Sequence, residues 1–268
     1  MTSFNEGGAS YRSGEMIIYD TLVACGHSLL KTRLKFKSKI PYDKVISLLT
    51  KFITGNFLTY DEKSRNYTVT GKGRLFLQNH LIENRLLTTG GNRILLNWGR
   101  EDPYSDPFLE PKLEYSADLL KKIVESAKDY ATLKLFENPY RDKYRIIEQI
   151  LEKATPYEKK TKIMDDCNLS HTQLQEYLFN LQKTNMITKT TNKSNKEVFS
   201  ATPKGKFFMA SHQLQGSLMK TGKENDPYMK PEILAQIEAA LSPIAKIRIT
   251  PKTTFITVFD KPIIATER

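Results

Sequence analysis

The sequence predicts an α+β fold, mainly α, in which one small unit of helices and a two-stranded hairpin occurs twice. Three observations predict it. There is an internal repeat, each copy spaces its apolar residues for one buried helix face, and capping or breaking residues stand at the helix ends.

Residues 15–34 (EMIIYDTLVACGHSLLKTRL) lie over 144–163 (YRIIEQILEKATPYEKKTKI) without a gap, at a shift of 129. The same shift carries Ile40 onto Leu169, Val45 onto Leu174, Leu49 onto Leu178, Phe52 onto Leu181, Asn56 onto Asn185 and Leu58 onto Ile187. Beyond that the shift is 132, so that Thr70-Gly71-Lys72-Gly73 meets Thr202-Pro203-Lys204-Gly205, and His80 meets His212. The three extra residues of the second copy fall between its two short strands, where insertions are best tolerated. Apolar positions agree better than identities, as one fold with diverged surfaces requires.

Each copy reads as helix, helix, turn, helix, strand, turn, strand, helix. In the second copy, 143–153 is helical, with Ile146, Ile147, Ile150 and Leu151 on one face, and Pro156 ends it. A short helix over 159–165 leads to Asn168-Leu169-Ser170, where Ser170 caps a third helix that buries Leu174, Leu178 and Leu181 at i, i+4, i+7. Strands at 186–190 and 197–201 flank the polar turn TNKSN. Thr202 caps the closing helix, with Pro203 at its first position. The first copy repeats this, with Pro41 opening the third helix, Val45, Leu49 and Phe52 inside, and DEKSRN in the turn.

These features divide the chain into 1–81 (first unit), 82–141 (linker), 142–216 (second unit) and 217–268 (C-terminal appendage). The linker is turn-rich (GG, DPYSDP, EP), with a little strand at Arg93–Trp98 and an amphipathic helix over 116–136 that ends before Asn138-Pro139. That helix is open to packing within the chain or to pairing with a second copy in a homodimer. The appendage reads as a helix at 232–241 plus a hairpin from IAKIRIT and TTFITVF, able to cover a repeat or meet a protein partner.

The net charge of +11 favours an anionic partner, a description that DNA, RNA and an anionic membrane surface all fit. The charge follows the repeat. Residues 1–81 carry 12 basic and 6 acidic side chains and 142–216 carry 12 and 8, whereas 82–141 carry 9 and 10. The excess therefore sits on the folded units rather than on a basic tail. No apolar run is long enough to span a membrane, and residues 1–15 lack the apolar core of a signal peptide, so a cytoplasmic protein with no membrane partner is expected. Cys25 and Cys167 read as buried reduced thiols. The four histidines are scattered, His80 and His212 occupy equivalent places, and neither a phosphate loop nor a metal-ligand spacing occurs. The sequence thus points away from an enzyme, with no cofactor and no metal.

The run EKKTKIMDDCNLSHTQLQEYLFNLQKTNMITK, followed by TPKGKFFM, resembles a family of archaeal winged helix-turn-helix proteins. The resemblance rests on Lys160-Thr161 with Ile163-Met164, Asn168-Leu169-Ser170, Tyr177-Leu178 with Leu181, and Thr202 with Lys204-Gly205, over about 142–216. Lys31-Thr32, Ile40-Pro41, Leu48-Leu49 and Thr70 with Lys72-Gly73 match more loosely. Asn56 and Asn185 stand where the family usually has glycine after its third helix, and Asn tolerates the left-handed backbone needed there. The resemblance implies a transcriptional regulator that binds double-stranded DNA, often as a dimer through an appended helix, and associates with the nucleoid; with the repeat it gives two tandem winged helix-turn-helix domains, an arrangement less usual in that family. A tandem pair puts a simple two-fold dimer in question, because one chain could span two half-sites.

In such a unit the third helix enters the major groove, here near 41–54 and 170–183. Tyr42, Lys44, Ser47 and Lys51 in the first copy, and Ser170, His171, Thr172, Gln173, Gln175 and Lys183 in the second, are the expected DNA-facing residues. Lys37 and Lys39 before the first reading helix, Lys63 and Arg65 in one hairpin turn, and Lys189, Lys193 and Lys196 around the other are expected on phosphate or in the minor groove. Phe179, on the outward face, suits a thymine methyl or a protein contact. Two other readings stand beside the regulator: a non-specific architectural chromatin protein, and a winged-helix module for protein interaction.

Overall fold

The computed structural model describes residues 14–25, 42–87, 110–131, 143–222, 225–241, 245–249, 254–258 and 261–264. The second helix of the first copy, the Arg93–Trp98 strand and the Asn138-Pro139 stop lie outside the described residues.

The second half begins with α5 (Lys143–Lys153), whose Tyr144, Ile147, Ile150 and Leu151 are buried. A two-residue strand, β3 (Glu158–Lys159), leads into α6 (Lys160–Asp166) and α7 (His171–Lys183). Between α6 and α7 Asn168 takes a left-handed backbone (φ 48°), and the Leu169 amide donates to Met164 O at 3.1 Å. β4 (Ile187–Thr191) and β5 (Glu197–Ala201) form the hairpin, and α8 (Pro203–Lys220) closes the unit. The sheet order is β3-β5-β4, all antiparallel, with Glu158 opposite Phe199 and Ile187 opposite Ala201. β3 is too short to show an alternating pattern, so in sequence its residues read as turn and helix.

Residues 14–87 hold the corresponding elements: α1 (Gly14–Cys25), α2 (Tyr42–Thr54), β1 (Leu58–Asp61), β2 (Asn66–Val69) and α3 (Gly71–Leu86). Val45, Leu49 and Phe52 point inward, as their spacing predicts, and both cysteines are buried. Burial pushes the Cys25 thiol up to about 12.

One set of bonds ties each third helix to its closing helix. In the second half Asn185 is left-handed (φ 53°), and the Thr202 hydroxyl donates to Asn185 O at 2.6 Å while accepting from Gly205 N at 3.1 Å. A Cβ on Gly205 would stand 2.2 Å from Met186 O, so only glycine allows α8 to approach this closely. Lys204 Nζ donates to Thr184 O at 2.7 Å. In the first half Asn56 is left-handed (φ 59°), Thr70 donates to Asn56 O at 2.5 Å and accepts from Gly73 N at 3.1 Å, and a Cβ on Gly73 would stand 2.5 Å from Phe57 O. The lysine differs. Lys72 is fully buried and donates to Thr221 O, Thr221 Oγ1 and, at 2.6 Å, to Asp226 Oδ2. Burial holds its ammonium down at about 8 even against the Asp226 carboxylate.

Lys72 shows that residues after 220 are not a detached appendage. Asn56 Nδ2 donates to Gly222 O and to Asp226 Oδ2, and Tyr228 is fully buried with its hydroxyl donating to Ser217 at 2.6 Å. α9 (Pro231–Leu241) packs on α3 and on α4 (Glu110–Ser126). The hairpin expected after it is a three-stranded antiparallel sheet, β6 (Ala245–Ile249), β7 (Thr254–Val258) and β8 (Lys261–Ile264). The extra strand, KPII, lacks the alternation of the other two.

α4 begins six residues before the amphipathic stretch read over 116–136 and ends ten residues before its end, followed by a 3₁₀ turn at Lys128–Tyr130. Its buried face, Leu113, Ala117, Leu120 and Ile123, runs along α8, and Ser116 Oγ donates to Ala240 O at 2.8 Å. The amphipathic helix therefore packs within the chain. The closing helices also pass the boundaries drawn from sequence: α3 runs to Leu86 and α8 to Lys220, because Ile82, Leu86, Leu214 and Leu218 keep burying apolar surface.

α3 and α8 pack on each other, and the described core is continuous across them. The contact is polar at its centre. Asn79 Nδ2 shares its two protons among Ser211 O, Gln215 Oε1 and Glu83 Oε1, while Ser211 Oγ donates to Asn79 Oδ1 at 2.8 Å and lies 3.4 Å from Glu83 Oε1. Glu83 is wholly buried, which raises its pKa, and His212 lies 3.8 Å from it and 3.7 Å from Glu148. His80 stands between Tyr19 (ring centroids 4.7 Å apart) and Phe76, and neither of its ring nitrogens has a hydrogen-bond partner among the described residues. Burial, with His212 and Lys143 adding positive charge, lowers its pKa to about 4.

Gly205→Ala is expected to lower unfolding stability by about 3 kcal/mol, the upper end for overpacking, since backbone would have to move. An unchanged denaturant midpoint would contradict the contact. A second expectation follows from His80. Between its ordinary 6.5 and about 4 the unfolded chain takes up a proton that the folded chain refuses, so stability falls as pH falls through that window. A pKa lowered that far in one group corresponds to about 3 kcal/mol of stability. The raised pKa of Glu83 acts in the opposite sense on acidification, so the readout is a difference. His80→Phe should flatten the loss between about pH 6.5 and 4.5 in chemical denaturation, relative to the parent chain.

Candidate nucleic-acid interface

α7 exposes one polar stripe. Leu174, Leu178 and Leu181 hold its inner face in the core, which turns Thr172, Gln175, Phe179 and Lys183 outward, all of them exposed. Phe179 is 51% exposed, and Lys183 Nζ sits 4.7 Å from its ring centroid. The ring thereby carries a cation at the end of the stripe, an arrangement worth about 0.5–1 kcal/mol when exposed.

Ser170 and Gln173 form a capping box. Gln173 N donates to Ser170 Oγ at 3.2 Å, and Ser170 N donates to Gln173 Oε1 at 3.0 Å. From sequence Ser170 is read as the cap of this helix and, with Gln173, as a DNA-facing residue. In the structure their side chains satisfy the amides that open α7, so they set where the helix starts. The spacing Ser-x-x-Gln held that signal. Gln173 also borders a cleft of about 270 Å³ between α7, α5 and Leu87, lined further by Lys143, Ile147, Glu176, Tyr177 and Asn180.

His171 is exposed at the entry of α7, with its Nε2 3.1 Å from Lys160 Nζ. Lys160 is not among the contact residues expected from sequence. It stands at the first position of α6, which the sequence could not place beside α7.

In the β4–β5 hairpin, Asn192 Oδ1 accepts from Ser194 N and Lys196 N, and Asn195 is left-handed (φ 56°). This turn leaves Lys193 and Lys196 exposed at the tip. Lys189 is paired with Glu197 on the neighbouring strand, so its charge is met within the hairpin. The β1–β2 tip is built alike: Asp61 accepts from Lys63 N at 3.0 Å and Ser64 Oγ at 2.6 Å, and Arg65 is left-handed (φ 55°). The Ser64 hydroxyl and the Lys63 amide hold the Asp61 carboxyl below its usual value. Lys63 and Arg65 are exposed.

On α2, Lys44, Ser47 and Lys51 are exposed on one stripe at i, i+3, i+7. Under the 129-residue shift they correspond to Gln173, Glu176 and Asn180, the residues of α7 beside the cleft, whereas the outer stripe of α7 corresponds to Asp43, Ile46, Thr50 and Thr54. Apart from Gln173, the equivalent of Lys44, the two helices thus carry their expected contact residues on different stripes, a difference that sequence position alone conceals. Tyr42 opens α2, and Lys37 and Lys39 lie outside the described residues. Among the described residues no group of three His, Cys, Asp or Glu could hold a metal ion, and no helix is long and apolar enough to cross a membrane.

Residues 140–219 match the winged helix-turn-helix family model, and this stretch takes in α5–α8 and the β3-β5-β4 sheet. No curated protein and no solved structure gives a significant match to the chain.

Ser170→Ala should cost about 1 kcal/mol of stability, the usual worth of a side-chain N-cap. Thr172→Ala, two positions on, should stay within about 0.5 kcal/mol. Equal thermal shifts for the two variants would show that the capping box does not hold α7.

Proposed function

We propose that the protein binds double-stranded DNA with two winged units in one chain, residues 14–87 and 143–220, and acts as a transcriptional regulator. The observation that carries this reading is the exposed stripe of α7 beside a hairpin tip bearing Lys193 and Lys196, on a segment that matches winged helix-turn-helix proteins. A helix of this kind fits the major groove, and a cationic hairpin beside it suits the flanking phosphates. The reading of residues 14–87 as a second unit is supported by the left-handed Asn, the Thr cap and the close-packed Gly recurring at Asn56, Thr70 and Gly73. The net charges of +6 and +4 over 1–81 and 142–216 agree with it. Association with the nucleoid, and an origin in the archaeal family that 142–216 resembles, belong to the same proposal.

The two units divide the work in this reading. Lys44 and Lys51 supply phosphate affinity from α2, and Thr172 and Gln175 read base edges from α7. Phe179 favours a second reading, a protein-interaction module, because an exposed aromatic next to a cation suits a protein partner.

Gel-shift titration over a salt series tests the proposal. Affinity should fall steeply with salt, and Lys193→Ala with Lys196→Ala should reduce the log–log slope by about 2 in all, about 1 per phosphate contact. Gln175→Ala should instead lower the ratio of specific to random-sequence affinity. A ratio near unity in the parent chain would make the protein architectural rather than regulatory. Absent binding, with partners retained after nuclease treatment, would favour the interaction module.

A further inference from the structure

The contacts between α3 and α8 are reciprocal. Under the 132-residue shift Asn79 corresponds to Ser211 and Glu83 to Gln215. Asn79 and Ser211, which are equivalent, bond to each other, Asn79 Nδ2 to Ser211 O and Ser211 Oγ to Asn79 Oδ1, both at 2.8 Å. Asn79 also reaches Gln215 at 3.0 Å, and its equivalent Ser211 reaches Glu83, the equivalent of Gln215, at 3.4 Å. The contact from position a on one helix to position b on the other is thus returned from a′ to b′. This pattern marks an interface with a two-fold axis, here passing near Asn79 and Ser211. Two units related by simple translation along the chain would make a head-to-tail contact, in which no position meets its own equivalent.

The flanks extend the symmetry. Phe76 stacks on His80 with planes 2° apart, and Phe208 on His212 with planes 3° apart. Tyr19 touches His80, and Glu148, its equivalent under the 129-residue shift, lies 3.7 Å from His212. Each closing helix is joined to its own third helix by the Thr and Gly contacts of Thr70 and Gly73 or Thr202 and Gly205. The axis between α3 and α8 is therefore passed on to α2 and α7.

From this we infer that the single chain is an internal pseudo-dimer, and that its two reading helices address two half-sites of opposite polarity on one duplex. The inference rests on the DNA-binding reading above. The occupant it specifies is one duplex per chain, with the units disposed as in an inverted repeat. The half-site sequences themselves differ, because α2 and α7 carry different side chains.

Tethered cleavage of DNA tests the polarity. A duplex is first selected from a random pool with the full chain. An iron chelate is then attached to single cysteines at Thr50→Cys and Glu176→Cys on the two helices, and at Ser64→Cys and Ser194→Cys at the two hairpin tips, none of them a contact residue of the DNA-binding reading. All four positions are exposed and both native cysteines are buried, so labelling leaves the core untouched. The expected result is one chain per duplex, with cuts in the order tip, helix, helix, tip, or helix, tip, tip, helix. The order tip, helix, tip, helix, or cuts from one unit only, would overturn the two-fold arrangement while leaving DNA binding intact. A pool that returns no preferred sequence overturns the two half-sites, and a pool that returns no bound DNA overturns the DNA reading itself.

Discussion

The contact on which the described structure depends is the join between each third helix and the helix that closes its unit. At Thr202 and Gly205 it combines a hydroxyl that donates to Asn185 O, an amide that donates back to the hydroxyl, and a backbone carbonyl where a Cβ would otherwise sit. None of these tolerates drift. The left-handed Asn185 turns the chain out of α7, and α8 is held against that turn before its apolar face meets the rest of the core. The orientation of the exposed stripe is therefore set by a few backbone groups at the far end of α7, not by the stripe itself.

A second constraint acts between the halves. Burying Asn79, Glu83, Ser211 and Gln215 costs free energy that an apolar seam would not, since each group must recover in the protein the bonds it leaves in water. A polar seam is more demanding of geometry, because a small rotation would strand several buried groups at once. The same reasoning applies to Lys72, whose ammonium is enclosed by Thr221 and Asp226. That lysine ties the chain beyond α8 back onto the first half, so residues after 220 take part in positioning residues 14–87.

Much of this is legible in the chain alone. The bounds of α5 and α9, the inward residues of α2 and α7, the Ser170 and Thr202 caps, and the left-handed Asn residues all follow from short-range rules. The candidate site is legible in outline and misleading in detail. Gln173 looks like a base reader because polar residues near a helix start are alike in sequence, whether they cap or protrude. Lys189 looks like a free cation because its partner Glu197 lies across the hairpin, eight residues away. β3 and β8 leave no signal because strands of two and four residues without alternation owe their existence to the neighbour that hydrogen-bonds them.

By itself, the sequence determined the helix faces and the residues able to cap, turn or pack closely. Each depends on chemistry within a few positions along the chain, and a 132-residue shift preserves it. Only the tertiary structure decided which polar residues are consumed by the fold, where the tail is anchored, and that the two closing helices meet through equivalent residues. These depend on groups brought together from far apart: Asn79 with Ser211, and Lys72 with Asp226. No local pattern specifies which distant partner a buried donor will find.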